Sequence, residues 1–331
     1  MEQTALSDGT RMSRLWLGTV TFGSWGNADV DECVRMIHQA LDAGVNVIDT
    51  AEMYCHGESE EIVGRALRDR RDAVFLATKV GRQDAGGRPR PMTKEGIVAS
   101  LEASLRRLGT DHVDLYQVHR LPSDDELPVV FEALHELVGQ AKIRAIGTSS
   151  VPAWRLAGLS AMLADAGLTP IVTEQAPYSI FVRVVEPEVV DTCAGLGITL
   201  VGYAPFNGGW LSGKYRLGSE VPADSRAATW PVRRDRFDTT RTEVERKLLL
   251  IEELVPMARD LGTDLIGLSL AFALSSPGLS ATIVGARRPE QLSGLLEAAE
   301  LRLSDTERAR IDELVPPGSV IDTEDALPYH S

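Results

Sequence analysis

Eight short apolar runs alternate with eight stretches of helical periodicity along this chain, and the alternation predicts a closed (β/α)8 barrel, a TIM barrel of the α/β class. The runs recur roughly every thirty residues, the spacing of a strand and its crossover helix. An open, doubly wound sheet would carry a GxGxxG motif after its first strand, whereas residues 17–23 read LGTVTFG. We therefore expect one barrel domain over residues 1–331.

The predicted strands are apolar at nearly every position and rich in β-branched residues. This pattern is typical of parallel strands that are buried on both faces. In chain order, the strands are predicted at residues 15–20, 45–48, 74–78, 113–118, 143–148, 171–173, 199–203 and 281–284.

Helical periodicity fills the intervals between the strands. Asp29 or Asp31 suits the N-cap of the first helix and Gly44 suits its end, as Gly109, Gly139, Gly167 and Gly195 suit the ends of later helices. The eight repeat helices are predicted at residues 30–43, 60–68, 94–108, 128–138, 152–166, 188–195, 266–275 and 290–299. Extra helices are predicted after the seventh strand, at 243–261, and near the C-terminus, at 304–314.

The composition excludes several classes of partner. The net charge is −14, and so acidic a surface repels nucleic acid and anionic lipid. Three widely spaced cysteines favour a reducing compartment over a disulfide framework.

The N-terminal residues lack an apolar stretch of the kind found in signal peptides, and no apolar stretch reaches the length of a membrane span. We expect a cytoplasmic protein, and the oligomeric state stays open.

Three consecutive predicted strands end in side chains that can carry a reaction. Asp49 closes the second strand, and Tyr54 follows five residues later. Lys79 ends the third strand and His119 the fourth. Because the carboxyl ends of barrel strands open on one face, we expect these side chains to meet. A lysine ammonium favours the phenolate, so we expect Lys79 to lower the pKa of Tyr54.

Together these four groups suit the donation of a proton to a carbonyl oxygen while a reductant attacks the carbonyl carbon. Asp49 would keep Lys79 charged and oriented, and a neutral His119 would orient the carbonyl beside the phenol. The reaction needs no metal, and we expect none. Taken singly, each of these residues is more easily explained as core packing, a structural ion pair or loop packing.

Short motifs in the same order along the chain resemble the aldo-keto reductases. The resemblance runs from about Leu17 to about Leu314 and rests on the set of motifs, since none is decisive alone. The motifs are DTAxxY at 49–54, GESE at 57–60, Thr78-Lys79, SLRRLGTDHVDLYQVH at 104–119, IRAIG at 143–147, Gln175, YAP at 203–205, GGWLSGK at 208–214 and IVGAR at 283–287.

The resemblance implies the catalytic roles and the reductant. Tyr54 would be the general acid, supported by Lys79, Asp49 and His119. The reductant would be a nicotinamide dinucleotide, usually NADPH, bound across the top of the barrel, with NADH the less favoured form.

The resemblance also implies a set of cofactor contacts. Ser149, Ser150 and Gln175 would hold the nicotinamide carboxamide, although the family typically has asparagine where this chain has Ser150. Tyr203 would stack on the nicotinamide. The remaining positions would bind the pyrophosphate and the adenosine 2′-phosphate: Ala204, Pro205, Phe206, Gly208, Leu211, Gly213, Lys214, Gly285, Arg287, Arg288 and Gln291. Gly294 and Leu295 stand where the family often has the adenine-contacting glutamate and asparagine.

The substrate pocket is predicted less sharply. Phe22 and Trp25 follow the first strand and would wall the pocket with Tyr54 and His119. The substrate would then be a small carbonyl compound. An arginine-rich loop at 215–241 allows a nucleotide-linked keto-sugar instead, although such loops are usually solvated. Two other functions stay open: a nicotinamide-binding regulatory or sensor subunit, and a barrel that binds another phosphorylated ligand.

Overall fold

Eight parallel strands close into a barrel in the computed structural model, which describes residues 1–83, 90–223, 225 and 236–329. The barrel strands are β3 (Leu15–Gly18), β4 (Val47–Asp49), β5 (Phe75–Val80), β6 (Val113–Val118), β7 (Ile143–Ser149), β8 (Ile171–Pro177), β9 (Thr199–Tyr203) and β10 (Ala281–Val284). They pair in sequence order, and β10 closes the ring by pairing with both β9 and β3. The predicted fold is confirmed.

A helix follows each barrel strand, and the two predicted extra helices are present. The helices are α1 (Val30–Asp42), α2 (Glu58–Leu67), α3 (Lys94–Leu108), α4 (Leu127–Gly139), α5 (Ala153–Asp165), α6 (Val189–Leu196), α7 (Thr242–Asp260), α8 (Leu265–Leu274), α9 (Pro289–Ala298) and α10 (Asp305–Leu314). Asp29 is the N-cap of α1, because its side chain accepts a hydrogen bond from the amide of Glu32.

One helix end differs from the sequence prediction. Gly139 is the last residue of α4, directly before the C-cap Gln140, as predicted. Gly195 instead lies inside α6, which runs to Leu196 and is capped by Gly197 with φ 68°. The cap forms at Gly197 because glycine adopts positive φ without a steric cost.

An N-terminal hairpin, which the periodicity did not predict, closes the bottom of the barrel. Its strands, β1 (Gln3–Ala5) and β2 (Arg11–Ser13), pair antiparallel. Leu6 and Met12 join the cluster that fills the barrel interior, with Trp16 and Leu115 among its members. A second, larger apolar cluster lies between the strands and the surrounding helices. The barrel is thus a packed scaffold that opens only at its carboxyl end.

At the carboxyl end of the strands, the side chains of the barrel interior change from apolar to polar, and these polar side chains form what we call the polar layer. Lys79 pairs in register with Gln117, and Ser149 pairs with Gln175. Gly147, which pairs in register with Gln117, permits this crowding, because a Cβ there would lie 2.9 Å from Cγ of Gln117 and 2.3 Å from the Thr173 hydroxyl. Because strand pairing fixes the backbone at these positions, the residues of the polar layer cannot shift independently of one another.

The C-terminal segment is fixed by a buried ionic cluster beside the loop after β9. Lys247 on α7 is fully buried, and its ammonium lies 2.5 Å from Asp325 and 3.6 Å from Asp322. The same ammonium is 5.4 Å from the ring centroid of Trp210, in the loop after β9. This cluster ties α7, the C-terminal segment and that loop together.

Arginines of the 215–241 segment that the structure describes are paired with carboxylates. Arg216 bonds Glu252, Arg236 contacts Asp325, and Arg241 contacts Asp322. Arg226, Arg233 and Arg234 lie outside the described residues. Since the described guanidiniums serve the packing of the chain itself, they give no support to a nucleotide-sugar site.

In the parts of the chain that the structure describes, no helix is long and apolar enough to cross a membrane.

Replacing Lys247 by Met should destabilise the fold markedly. The change leaves two buried carboxylates short of a cation, and breaking a buried pair in this way costs about 3–5 kcal/mol. Lys94→Met is the matched control, because the Lys94–Glu136 pair is about half exposed, at 48% and 46%, and exposed pairs contribute little. Urea unfolding of both variants measures the difference. Equal stabilities would show that the Lys247 cluster does not hold the C-terminal segment.

Candidate active site

Lys79 lies at the centre of the polar layer. Its ammonium donates to Asp49 Oδ1 at 2.5 Å, to the carbonyl oxygen of Thr50 at 2.9 Å and to the hydroxyl of Tyr54 at 3.4 Å. Both members of the ion pair are buried, Lys79 and Asp49 each being 2% exposed. The three donor positions of the ammonium are thus directed at one carboxylate, one carbonyl and one phenol.

Asp49 is held on its other side by two glutamines. Gln175 donates to Asp49 Oδ2 at 2.6 Å, and Gln117 donates to the same oxygen at 3.3 Å. Gln175 was expected to hold a carboxamide, and here its amide NH2 supports the carboxylate. Gln117 was missed in the sequence, although a polar residue within an apolar strand, two positions before His119, is a usable signal. The two amides fix the orientation of Asp49, and through it that of Lys79.

Burial and charge act in opposite directions on the pKa values of Tyr54 and Lys79. Burial disfavours the phenolate and raises the pKa of Tyr54, and the Lys79 ammonium only partly offsets this increase. Lys79 thus acts on the pKa of Tyr54 in the expected direction, but the desolvation of the buried phenol outweighs this attraction and the net shift is upward. For Lys79, burial alone would lower the pKa, but the Asp49 carboxylate raises it above its ordinary value. The lysine is charged and the phenol is protonated at neutral pH.

His119 is electrically neutral at physiological pH. Burial, and then the positive charges of Lys79 and Arg120, hold the pKa of its imidazole well below the ordinary value. Its ring meets the Tyr54 ring edge to face, with centroids 5.9 Å apart and an interplanar angle of 82°. A neutral imidazole beside a protonated phenol can orient a carbonyl oxygen without competing for its proton.

Tyr54 stands at the start of a short 3-10 turn with an unusual backbone. The next two residues, Cys55 and His56, both adopt positive φ, at 48° and 56°. The Cys55 thiol accepts a hydrogen bond from the amide of Trp25, and the Trp25 indole meets the His56 ring at 5.6 Å, edge to face. Two consecutive left-handed residues are held by this packing, and they are a form of local strain typical of functional sites.

The predicted pocket residues divide into two groups. Trp25, Tyr54 and His119 are half-buried at the top of the barrel. Phe22 is fully buried in the apolar cluster between strands and helices. Phe22 therefore does not belong to the pocket wall, because its side chain has no exposed surface and packs in this cluster.

The rim formed by the ends of β6, β7 and β9 carries a chain of polar contacts. The Ser150 hydroxyl is 3.0 Å from the hydroxyl of Tyr203 and 3.4 Å from that of Ser149. Ser150 adopts φ 61°, and its amide donates to the carbonyl of Gln175. Arg120, which follows His119 directly, donates to the Ser150 hydroxyl at 2.9 Å. Arg120 was not singled out in the sequence, where nothing separates it from an ordinary loop arginine.

The loop after β9 contains three glycines with positive φ, and we call it the glycine cradle. It runs from Ala204, with φ 57°, through Pro205 and Phe206 into a 3-10 turn at Asn207–Ser212. Gly208, Gly209 and Gly213 all have positive φ, so their amides can turn toward one side of the loop. The Lys214 ammonium folds back to within 3.8 Å of the position that a Cβ of Gly209 would take. Leu211 is buried beneath the turn.

Another predicted phosphate site lies at the end of β10, where Gly285 precedes α9. The side chain of Gln291 accepts a hydrogen bond from the amide of Arg287, and the carbonyl of Arg287 accepts one from Asn27. Arg287 is half-buried, whereas Arg288 is exposed at the N-cap of α9. The two guanidiniums and the helix N-terminus together favour an anion.

The described residues contain no group of three or more His, Cys, Asp or Glu side chains that could hold a metal ion. A pocket of about 310 Å³ lies beside the loop after β9, between Ser212-Gly213 and the start of α8 at Leu265. The polar layer at the strand ends offers a carboxylate, an ammonium, a phenol and an imidazole for acid–base chemistry, and the pocket adjoins the glycine-containing loop after β9.

Comparison with known proteins gives consistent matches over nearly the whole chain. Residues 14–316 match the sequence model of the aldo/keto reductase family. The chain is 33% identical to "Uncharacterized oxidoreductase YrpG" of Bacillus subtilis (strain 168), over 99% of this chain and 100% of that protein. It is also 33% identical to "Aldo-keto reductase YhdN" of the same organism, over 95% and 94%. A "Probable voltage-gated potassium channel subunit beta" of Oryza sativa subsp. japonica is 32% identical, over 88% and 89%.

Proposed function

This chain belongs to the aldo/keto reductase family, and from that premise we propose that it reduces aldehydes or ketones to alcohols with NADPH, reversibly, using Tyr54 as the proton donor. The family membership carries the general class, a carbonyl-reducing oxidoreductase. The choice of NADPH and the role of Tyr54 are the proposal.

One observation carries the assignment of Tyr54. The Lys79 ammonium joins the Asp49 carboxylate at 2.5 Å to the Tyr54 hydroxyl at 3.4 Å inside a buried site. When a carbonyl oxygen gains negative charge beside the phenol, Tyr54 gives up its proton, and the ammonium stabilises the phenolate that forms. Asp49 and the two glutamines bonded to it hold the ammonium in place during this step. The neutral His119 donates an N–H hydrogen bond to the carbonyl oxygen and so orients the carbonyl.

The residues at the rim suit a nicotinamide dinucleotide. The bound cofactor would supply the hydride. Tyr203 offers a half-buried ring and Ser149 a buried hydroxyl at the level of the catalytic groups. The side-chain oxygen of Asn207, buried in the glycine cradle, has no hydrogen-bond partner among the described residues. This oxygen would accept a hydrogen bond from a donor of the ligand, while the glycine amides and Lys214 would bind its phosphate groups.

A second candidate function rests on one of the relatives. The similarity to a protein named a probable voltage-gated potassium channel subunit beta gives weak support to a regulatory role. The alternative that we infer is a nicotinamide-binding regulatory or sensor subunit with slow turnover. The buried acid–base set argues for turnover, because a sensor needs the cofactor cradle but not a charged lysine aimed at a phenol. Fast release of NADP⁺ with reduction of many aldehydes would decide for the enzyme, and slow release with negligible reduction for the sensor.

Replacing Tyr54 by Phe should reduce the turnover of an aldehyde panel by about 100-fold or more, the usual scale for the loss of a general acid. The dissociation constant of NADPH should change little, because the hydroxyl serves the transition state. Stopped-flow fluorescence and steady-state kinetics measure the two quantities. The control is Tyr116→Phe, which removes a buried phenol that bonds Ser100 outside this site. Full activity in the Tyr54 variant would exclude it as the donor.

Replacing Arg287 by Ala should weaken NADPH binding by about 10- to 100-fold, the effect of losing one hydrogen bond to a charged group. NADH binding should hardly change, since NADH has no 2′-phosphate. Arg288→Ala is the matched control, and its effect should be smaller because Arg288 is exposed. Dissociation constants of both cofactors test the assignment. Equal losses for NADPH and NADH, or a wild type that prefers NADH, would contradict it.

A further inference from the structure

Arg120 places a positive charge on the rim of the barrel, directly above the acid–base site. Its Nη1 donates to the carbonyl of His119 at 2.8 Å and to the Ser150 hydroxyl at 2.9 Å, and it lies 3.4 Å from the Ser149 hydroxyl. Ser149 and Ser150 are buried, whereas Arg120 is exposed. The guanidinium therefore forms the outer layer of the mouth, over the serines.

The acceptors that bind Arg120 are all neutral. Within the ranges that the structure describes, Arg120 forms no ion pair. The nearby loop carboxylates are directed elsewhere, since Asp124 pairs with Arg155 at 2.5 Å and Glu126 with Arg82 at 2.6 Å. Asp49, below the rim, pairs with Lys79. The hydrogen bonds to neutral oxygens hold Nη1 in place, and none of the carboxylates that the structure describes compensates the charge of the guanidinium.

An uncompensated guanidinium at this position fits an anionic ligand group. In a chain of net charge −14, most anions are repelled at long range, so a local cation at the mouth gives selectivity where the substrate enters. A guanidinium binds a carboxylate through two parallel hydrogen bonds. A single positive charge flanked by neutral hydroxyls matches one carboxylate better than it matches a phosphate dianion.

We propose that Arg120 is a specificity-determining residue that binds a carboxylate carried by the carbonyl substrate, so that the preferred substrates are carbonyl acids. The inference rests on the proposed function for its kinetic readout. Arg120 immediately follows His119 along the chain, so a substrate whose carbonyl lies between Tyr54 and His119 presents its distal group toward the rim. The guanidinium holds that group, and the proton transfer remains the task of the groups below.

The test compares 3- and 4-carboxybenzaldehyde with their neutral methyl esters, in the wild type and in Arg120→Gln, Arg120→Lys and Arg155→Gln. The ratio of kcat/KM for acid over ester should fall by about 10- to 100-fold in Arg120→Gln, mainly through KM for the acid. Arg120→Lys, which keeps the charge, should retain much of the ratio. Arg155→Gln, a rim arginine paired with Asp124, should leave the ratio at the wild-type value.

Two results would overturn the proposal. One is an unchanged ratio in Arg120→Gln, with acid and ester falling together or not at all. The other is a loss of NADPH affinity in that variant that accounts for the whole effect, which would assign Arg120 to the cofactor.

Binding of terephthalate, measured by calorimetry, separates this proposal from the proposed function, because binding needs no turnover. Terephthalate should bind the wild type more tightly than Arg120→Gln, and equal binding would reject the carboxylate site even if no aldehyde is reduced.

Discussion

The buried pair of Lys79 and Asp49 is the interaction on which the rest of the site depends. A lysine that is 2% exposed stays charged only because a carboxylate lies 2.5 Å away and a backbone carbonyl accepts a further hydrogen bond. The pair in turn requires the barrel, because Asp49 is the last residue of β4 and Lys79 the penultimate residue of β5, and the register of these neighbouring strands is fixed. Removing either partner would leave an uncompensated charge in the interior. The same pair supplies the electric field that acts on Tyr54, so one ion pair both stabilises the barrel end and serves the proposed proton transfer.

The competition between desolvation and charge at Tyr54 has a functional meaning. Burial keeps the phenol protonated at neutral pH, the form required for a proton donor, and Lys79 limits how far its pKa rises. His119, held neutral by burial and by two nearby cations, does not compete for the proton. In the proposed mechanism reduction needs the protonated phenol, so it should be supported at neutral pH and lost as the pH rises through the raised pKa of Tyr54. Alcohol oxidation needs the phenolate and should gain over the same range.

Much of this could be predicted from the sequence, and what could not has physical reasons. The strands at Val113–Val118, Thr199–Tyr203 and Ala281–Val284 follow directly from continuous apolar runs. The meeting of Asp49, Tyr54, Lys79 and His119 follows from strand ends that share one face. The N-terminal hairpin was missed because three-residue strands carry no periodicity. The net upward shift of the Tyr54 pKa could not be predicted, because desolvation depends on the depth of burial. Gln117 and Arg120 contact residues that are far away in sequence, and local patterns do not encode such contacts.

The pH dependence of kcat/KM for carbonyl reduction, in the wild type and in Lys79→Met, tests most directly whether Lys79 controls the proton held by Tyr54. The ammonium lowers the pKa of the phenol, so its removal should raise that pKa further. We expect a much slower variant whose alkaline loss of activity moves to higher pH, and whose oxidation of the alcohol at a fixed alkaline pH is weakened. Profiles with the same alkaline limb in both proteins would show that Lys79 does not control this proton.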